Sequence, residues 1–551
     1  MKKRHPNKNK VLLVNITRLG DMLQATPTIA GIKQENPDCH TTVLVEKQFS
    51  DICHILPHID EVVSLDLSFT CRSLAAEQVG IIEAYQYISE FVDKLRADNF
   101  DYCLNMSSSA YTALLLRLLK VPRTGGWTAD EEGYRLIESE WARLFATSVH
   151  YQNRQYNSLN LVDMFRCSAD VEQHPEKLLV NIESSAKRHA EDLIRSAGFT
   201  NTGPIIAVQA GASQAKRQWS PTLFVEMVKI LDREYNARVI LTGSPKEISI
   251  VQPILNGCQS NNVFSAVGKT SIPQLAALLK ECQVLVTGDT GPMHISVAAG
   301  TPVVAMFLAS AYGFETGPYS AGNIVLQPVI GCGPCNPNKS CSRPDCHETI
   351  SPRLMADLAM ARTAGEVTEL SREQADPRHV MVYRTTFDRH GFCDMQPINA
   401  PEGDEFSRYR NAYRKLWLSD LGGFEVERTP QRHSKSSKLN IVDPGIEGLQ
   451  EIANCAYTGQ QLMRRLRELI LDVRAPGAAL QRINGDIASL DRSIEELGFN
   501  YGPIGSLAKM FLFAKENLSG SDPLSLASQM DSIYGDLGRR CERFSDFYQE
   551  S

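Results

Sequence analysis

Short apolar runs alternate with amphipathic stretches along the first part of this chain. Val11-Leu-Leu-Val-Asn15 reads as a strand, Met22 to Asn36 as a helix, and Thr42-Val-Leu-Val45 as a second strand. Val62-Val63 marks another strand, and Tyr102-Cys-Leu-Asn105 another, after a helix around Ile81 to Asp98. Apolar runs this short, spaced by helices, imply a parallel sheet with right-handed crossovers. A polar, helical stretch from Tyr151 to Gly198 interrupts the rhythm, which then restarts. Ile205–Gln209, Ala237–Thr242, Val284–Thr287 and Val303–Met306 predict a second sheet, with a helix from about Pro221. The expected fold is therefore α/β, with two facing Rossmann-like domains over residues 1–175 and 176–365 and a cleft between them. Past Gly365 the pattern changes. A polar stretch runs from Arg428 to Asn440, and helical patterns follow at Leu449–Val473, Leu480–Leu497, Ile504–Leu518 and Leu524–Tyr548. Their apolar residues recur at three- and four-residue spacing, so residues 366–551 are expected to form a mainly helical extension with a structural or associative role.

Three strand ends carry polar residues suited to chemistry. The first is Asn15-Ile-Thr-Arg18-Leu-Gly20-Asp21, where a strand turns at Gly20 into a helix. Asp21 falls in the first helical turn, where a carboxylate complements the helix dipole. The same carboxylate, pointing into a cleft, could act as a general base. The second is Gly288-Asp289-Thr290-Gly291-Pro-Met-His294, between a buried strand and a helix that ends at Gly300-Thr-Pro. Unpaired N–H groups and the positive end of the helix dipole make this corner a receptor for phosphate. Asp289 or Thr290 would otherwise be an ordinary N-cap, and His294 an ordinary packing histidine. The third is Gln209-Ala-Gly211-Ala-Ser213-Gln-Ala-Lys216-Arg217-Gln-Trp219, again between strand and helix. Lys216 and Arg217 could each neutralise a phosphate, Arg bidentately and Lys as a point charge, and the sequence leaves open which one does. No Gly-x-Gly-x-x-Gly fingerprint occurs, so no dinucleotide is expected. No Asp-x-Asp signature accompanies these loops, so no divalent metal is expected for catalysis.

Composition narrows the partners. The net charge of −7 argues against nucleic acid. The basic start Met1–Lys10 is followed only by the short run Val11–Val14, so neither a signal peptide nor a membrane-spanning helix is expected, and the chain should be cytoplasmic. Tyr111–Lys120 is an apolar helical pattern with two basic residues; it suits a core helix, and less well a peripheral contact with the inner membrane.

Taken together, Arg18-Leu-Gly-Asp21 with Pro27, and Asp289-Thr-Gly-Pro-Met-His294 with Gly300-Thr-Pro, resemble the motifs of glycosyltransferase family 9, the ADP-heptose:lipopolysaccharide heptosyltransferases, over residues 10–362 or so. The resemblance implies a GT-B fold, with the acceptor on the first domain and the donor nucleotide held mainly by the second. It implies that Asp21 is the catalytic base and that Asp289, Thr290, Gly291 and His294 contact the donor diphosphate and adjoining sugar. Ser213 matches a phosphate-contacting hydroxyl, and Arg217, with Lys216 beside it, stands where relatives usually carry Lys. Gly243-Ser-Pro falls where relatives contact the nucleoside, without an acidic residue at the nearest matched position. The implied reaction is inverting heptosyl transfer from ADP-heptose, or a similar nucleotide sugar, to a lipid-linked saccharide such as lipopolysaccharide core. Two rivals are a heptosyltransferase acting on a protein acceptor, with the helical extension recruiting it, and a nucleotide-sugar-binding scaffold without turnover.

Four of the 14 cysteines cluster as Cys332, Cys335, Cys341 and Cys346 within the Gly- and Pro-rich stretch 331–347. Cytosolic cysteines at such spacing more often ligate metal than pair as disulfides, so a structural Zn or Fe site is expected, the other reading being a cysteine knob that only orders its loop.

Overall fold

The computed structural model describes residues 9–75, 80–150, 152–365, 367–426, 444–472, 474 and 476–550. The first eight residues and the polar stretch 428–440 therefore lie outside the described residues. The chain forms two compact units, one from residues 1–133 and 159–404, the other from 134–158 and 405–551.

The first unit holds two sheets. Strands β1 (Lys10–Val14), β2 (His40–Glu46), β3 (Glu61–Leu65), β4 (Tyr102–Asn105) and β5 (Thr124–Ala129) lie in the order β3-β2-β1-β4-β5, all parallel. Val11, Leu12, Leu13 and Val14 are wholly buried, as a central parallel strand covered on both faces must be. The chain then contributes a short strand, β6 (Arg135–Ile137), to the second unit before returning.

The second sheet runs β14-β13-β12-β11-β10-β7-β8-β9. Its strands are β7 (Ile205–Gln209), β8 (Arg238–Thr242), β9 (Val263–Ser265), β10 (Val284–Gly288), β11 (Val303–Met306), β12 (Ile324–Pro328), β13 (Val380–Phe387) and β14 (Cys393–Pro397). The members from β9 to β12 are parallel, whereas β12-β13 and β13-β14 are antiparallel. Here the structure departs from the boundary expected at residue 365. The Val-Met-Val-Tyr run of β13, a turn closed by Gly391 at φ 73°, and β14 form a hairpin that extends the sheet. The hairpin of residues 380–397 thus belongs to the second sheet, and the mainly helical region expected there follows it.

A buried ionic cluster fastens this hairpin to the helix Leu161–Ser168. Asp163, wholly buried, accepts hydrogen bonds from Arg166 Nε at 3.0 Å, the Tyr319 hydroxyl at 2.9 Å and the Cys393 N–H at 2.9 Å. The Arg166 guanidinium lies 4.1 Å from the centroid of the Phe392 ring. Asp163→Asn leaves Arg166 buried without its counter-charge, so the variant is expected to lose about 3–5 kcal/mol of stability. Urea unfolding measures this; a loss under about 1 kcal/mol would mean that the cluster is incidental.

The second unit is helical, with Glu140–Ser148, Ser407–Asp420, Pro444–Leu471, Gly477–Asn500, Gly505–Glu516 and Pro523–Glu550 as its main helices. The last four coincide with the helical patterns expected from the sequence. Two of its buried polar side chains are paired: the Tyr534 hydroxyl donates to Asp491 at 2.5 Å, and Arg540 donates to Asp420 at 2.7 Å and Glu140 at 2.8 Å. Among the described residues, no helix is long and apolar enough to cross a membrane.

Candidate functional site

The site is built where β1 and β10 end. After β1, buried Asn15 folds the chain back: its Oδ1 accepts from the Thr17 N–H at 3.3 Å, and Ser107 Oγ accepts from the Ile16 N–H at 3.0 Å. The short helix Leu19–Gln24 follows, with Asp21 in its first turn. One Asp21 oxygen, Oδ2, accepts from the Arg18 N–H at 3.1 Å. The carboxylate is partly buried.

After β10, Asp289 precedes the helix Gly291–Ala299, which stops at Gly300 in a left-handed conformation at φ 86°. Thr290 occupies the N-cap with extended backbone, but its hydroxyl pairs with that of Thr287 at 3.0 Å instead of capping the helix. Asp289 does not cap it either. Its Oδ2 accepts from Arg217 Nη1 at 3.1 Å, and its Oδ1 from the Thr316 hydroxyl at 3.3 Å. The Asp289 and Arg217 side chains are only 13% and 14% exposed. Arg217 is further oriented by a bond from Nε to Ser310 Oγ at 2.9 Å.

The two corners meet. A Cβ added to Gly20 would lie 2.9 Å from His294 Cδ2, and one added to Gly291 would lie 2.9 Å from Leu19 Cδ2. The two turns touch, and at Gly20 the buried His294 ring leaves no room for a Cβ, whereas the Leu19 side chain could yield at Gly291. His294 is buried, and its Nδ1 has no hydrogen-bond partner in the structure. Burial lowers the His294 pKa, against the opposing pull of Asp289 and Asp21, which both stand within electrostatic reach of the ring. A neutral imidazole with an unsatisfied nitrogen thus lies within electrostatic reach of the two carboxylates identified from the sequence.

Lys216 and Arg217 have different surroundings. Lys216 Nζ donates to the carbonyls of Asn336, Pro337 and Lys339 at 3.0, 3.1 and 2.6 Å. Its own carbonyl pairs with His347 Nε2 at 2.9 Å, and Trp219 Nε1 donates to the His347 carbonyl at 3.0 Å. Lys216 is therefore engaged with the cysteine-rich loop, while Arg217 reaches the Asp289 corner. Ser213 is exposed on the same loop.

Sequence reasoning missed Glu247. Its Oε1 accepts from Gln209 Nε2 at 2.7 Å and its Oε2 from the Ser244 N–H at 2.6 Å. A Cβ on Gly211 would lie 1.5 Å from Glu247 Oε1, so this glycine admits the carboxylate. An acidic residue thus does stand beside the Gly243-Ser-Pro loop, three residues after Ser244. The signal was a capping box, Ser244-Pro-Lys-Glu247, which the reading by strand ends passed over.

The four cysteines are brought together, since the Cys335 thiol feels Cys332, Cys346 and Cys341. The expected Zn or Fe site is not shown: among the described residues, no group of three or more His, Cys, Asp or Glu is placed to hold a metal ion. Burial, followed by the neighbouring thiols, pushes the Cys335 thiol up to about 11.

Residues 88–344 match the family described as Glycosyltransferase family 9 (heptosyltransferase). This segment is a glycosyltransferase family 9 domain. Proteins similar to this chain include the lipopolysaccharide heptosyltransferase 3 of Escherichia coli, 26% identical over 298 residues, which are 54% of this chain and 82% of that protein. Another is the lipopolysaccharide core heptosyltransferase OpsX of Haemophilus influenzae, 23% identical over 368 residues, covering 65% and 96%. The crystal structure of a family 9 glycosyl transferase from Veillonella parvula superposes with a TM-score of 0.51 at 20% identity, covering 65% of this chain and 97% of that one. The fold of the two-sheet unit is GT-B, as the resemblance implied.

Proposed function

We propose that this family 9 chain is an inverting glycosyltransferase that moves a heptose, or a related sugar, from ADP-heptose to a cell-envelope saccharide such as lipopolysaccharide core. The observation that carries this reading is the meeting of the Gly20-Asp21 turn with the Asp289–His294 corner. A base and a phosphate receptor then face one small volume.

In this reading the donor diphosphate lies at the N-terminus of Gly291–Ala299. There the backbone N–H groups of Thr290 and Gly291, the Arg217 guanidinium and the Ser213 hydroxyl stabilise the charge that grows on the departing phosphate. Arg217 takes this role because Lys216 is held by three carbonyls. Neutral His294 can donate from one ring nitrogen without adding a charge, while Asp289 orients Arg217. Asp21 takes the proton of the attacking acceptor hydroxyl from the side opposite the leaving group, which inverts the anomeric carbon. Glu247 and the Gly211 backbone form the nucleoside end of the donor site, where a carboxylate can accept from ribose hydroxyls. A lipid-linked acceptor places this work in the cytoplasm at the inner membrane. Leu114 and Leu118, exposed beside Arg117 on the helix Ala110–Leu119, supply a peripheral contact.

A thermal-shift panel with ADP, UDP, GDP, CMP and ADP-heptose tests the reading. ADP species are expected to stabilise the chain selectively, by about 2.7 kcal/mol at a hundredfold excess over Kd. A preference for UDP or GDP would discard the heptose. Silence with every nucleotide would overturn the donor site itself.

A further inference from the structure

The cysteine loop is joined to the candidate donor site by a short chain of bonds. Cys332-Gly-Pro-Cys335 places two thiols in a C-x-x-C pair, with Cys332 exposed and Cys335 half-buried. The Cys335 N–H donates to the Ala309 carbonyl at 2.9 Å, and the next residue, Ser310, accepts from Arg217 Nε at 2.9 Å. The residues just after Cys335 supply the three carbonyls that hold Lys216. The geometry of Cys335 is thus transmitted to both cations of the 209–219 loop, along separate routes.

We propose that Cys332 and Cys335 form a thiol–disulfide exchange site, and that closing it loosens the grip on Lys216 and displaces Arg217. The co-substrate is a low-molecular-mass disulfide. The exposed Cys332 thiolate attacks one sulfur of that disulfide, forming a mixed disulfide and expelling the first thiol. The Cys335 thiolate then attacks the Cys332 sulfur, forming the intramolecular bond and expelling the second thiol. Both cysteine protons end on the two released thiols, and two electrons pass from the cysteine pair to the co-substrate. A disulfide needs its sulfurs about 2.05 Å apart, much closer than two free thiols in van der Waals contact. Cys335 must therefore shift against the Ala309 carbonyl and carry the carbonyls of Asn336 and Pro337 with it.

The effect on donor affinity rests on the transferase reading above, whereas the exchange and the release of Lys216 do not. The test treats the full chain with oxidised glutathione or with a reducing agent. Mass spectrometry then follows the Cys332–Cys335 linkage and the rate of amine acylation at Lys216, and calorimetry follows ADP binding. Oxidation is expected to form that linkage, to speed Lys216 acylation and to weaken ADP binding about tenfold. Cys332→Ser, a change at an exposed position, should show none of these responses. If Lys216 acylation rises while neither redox state binds ADP, the exchange site stands and the transferase reading falls. The proposal is overturned if no Cys332–Cys335 linkage forms, including because a tightly held metal ion keeps the thiols inert. It is equally overturned if the linkage forms and both Lys216 acylation and ADP affinity stay unchanged.

Discussion

Asp21→Asn is expected to slow sugar transfer about 10²–10⁴-fold while leaving ADP affinity almost unchanged, since general-base assistance has that magnitude. The substitution isolates the chemical role. The hydrogen bond from the Arg18 N–H to Asp21 Oδ2 can be kept by the asparagine carbonyl oxygen, so the turn into Leu19–Gln24 persists. Loss of the first-turn charge costs only about 0.3–1 kcal/mol, because dipole effects at partly exposed sites are small. Product formation from ADP-heptose and calorimetric ADP binding, measured on the same preparation, separate the two contributions. A variant that turns over at the parent rate would remove Asp21 as the base. One that loses ADP binding and stability together would make it a structural cap.

Asp21 was legible in the sequence because β1, Gly20 and the following helix are local, and local patterns survive into the fold. The same holds for the Asp289 corner, whose strand, Pro292 and Gly300 mark a helix start and stop without tertiary help. The meeting of the two corners was not legible. It depends on Gly20 and Gly291 receiving His294 and Leu19 from segments far apart in the chain, and no periodicity records that approach. The hairpin β13-β14 was passed over for another reason. It follows a helix and a break in the βαβ rhythm, and its strands pair antiparallel, so a search for parallel units ended at Gly365. The division of labour between Lys216 and Arg217 is likewise tertiary: adjacent residues on one 3₁₀ turn are told apart only by the loop that each one reaches. The cysteine spacing was read as a metal site by analogy of pattern. Spacing along the chain does not fix which sulfurs face a common centre, and among the described residues no group of three or more His, Cys, Asp or Glu is placed to hold a metal ion.

Arg217→Met is expected to weaken donor binding by about 2–5 kcal/mol, the range found when one partner of a hydrogen-bonded charge pair at a binding surface is truncated. Two effects add. The donor phosphates lose a guanidinium that binds bidentately, and Asp289, only 13% exposed, is left facing them without its counter-charge. The second effect makes the prediction specific. Asp289→Asn in the Arg217→Met background removes the repulsion, so the double variant should bind ADP more tightly than Arg217→Met alone. That non-additivity marks residues acting as one unit. Lys216→Met should behave otherwise, because its ammonium bonds backbone carbonyls and no carboxylate. It should destabilise the 336–339 loop by about 1–3 kcal/mol, the cost of unmade hydrogen bonds to a charged group, and alter ADP affinity far less than Arg217→Met does. Isothermal titration of Arg217→Met, Lys216→Met and Asp289→Asn singly, and of the double variant, with ADP decides between the cations. If Lys216→Met abolishes binding while Arg217→Met retains it, the phosphate lies on the side of the cysteine loop, and the Arg217–Asp289 pair is a structural tie between the 209–219 loop and the end of β10.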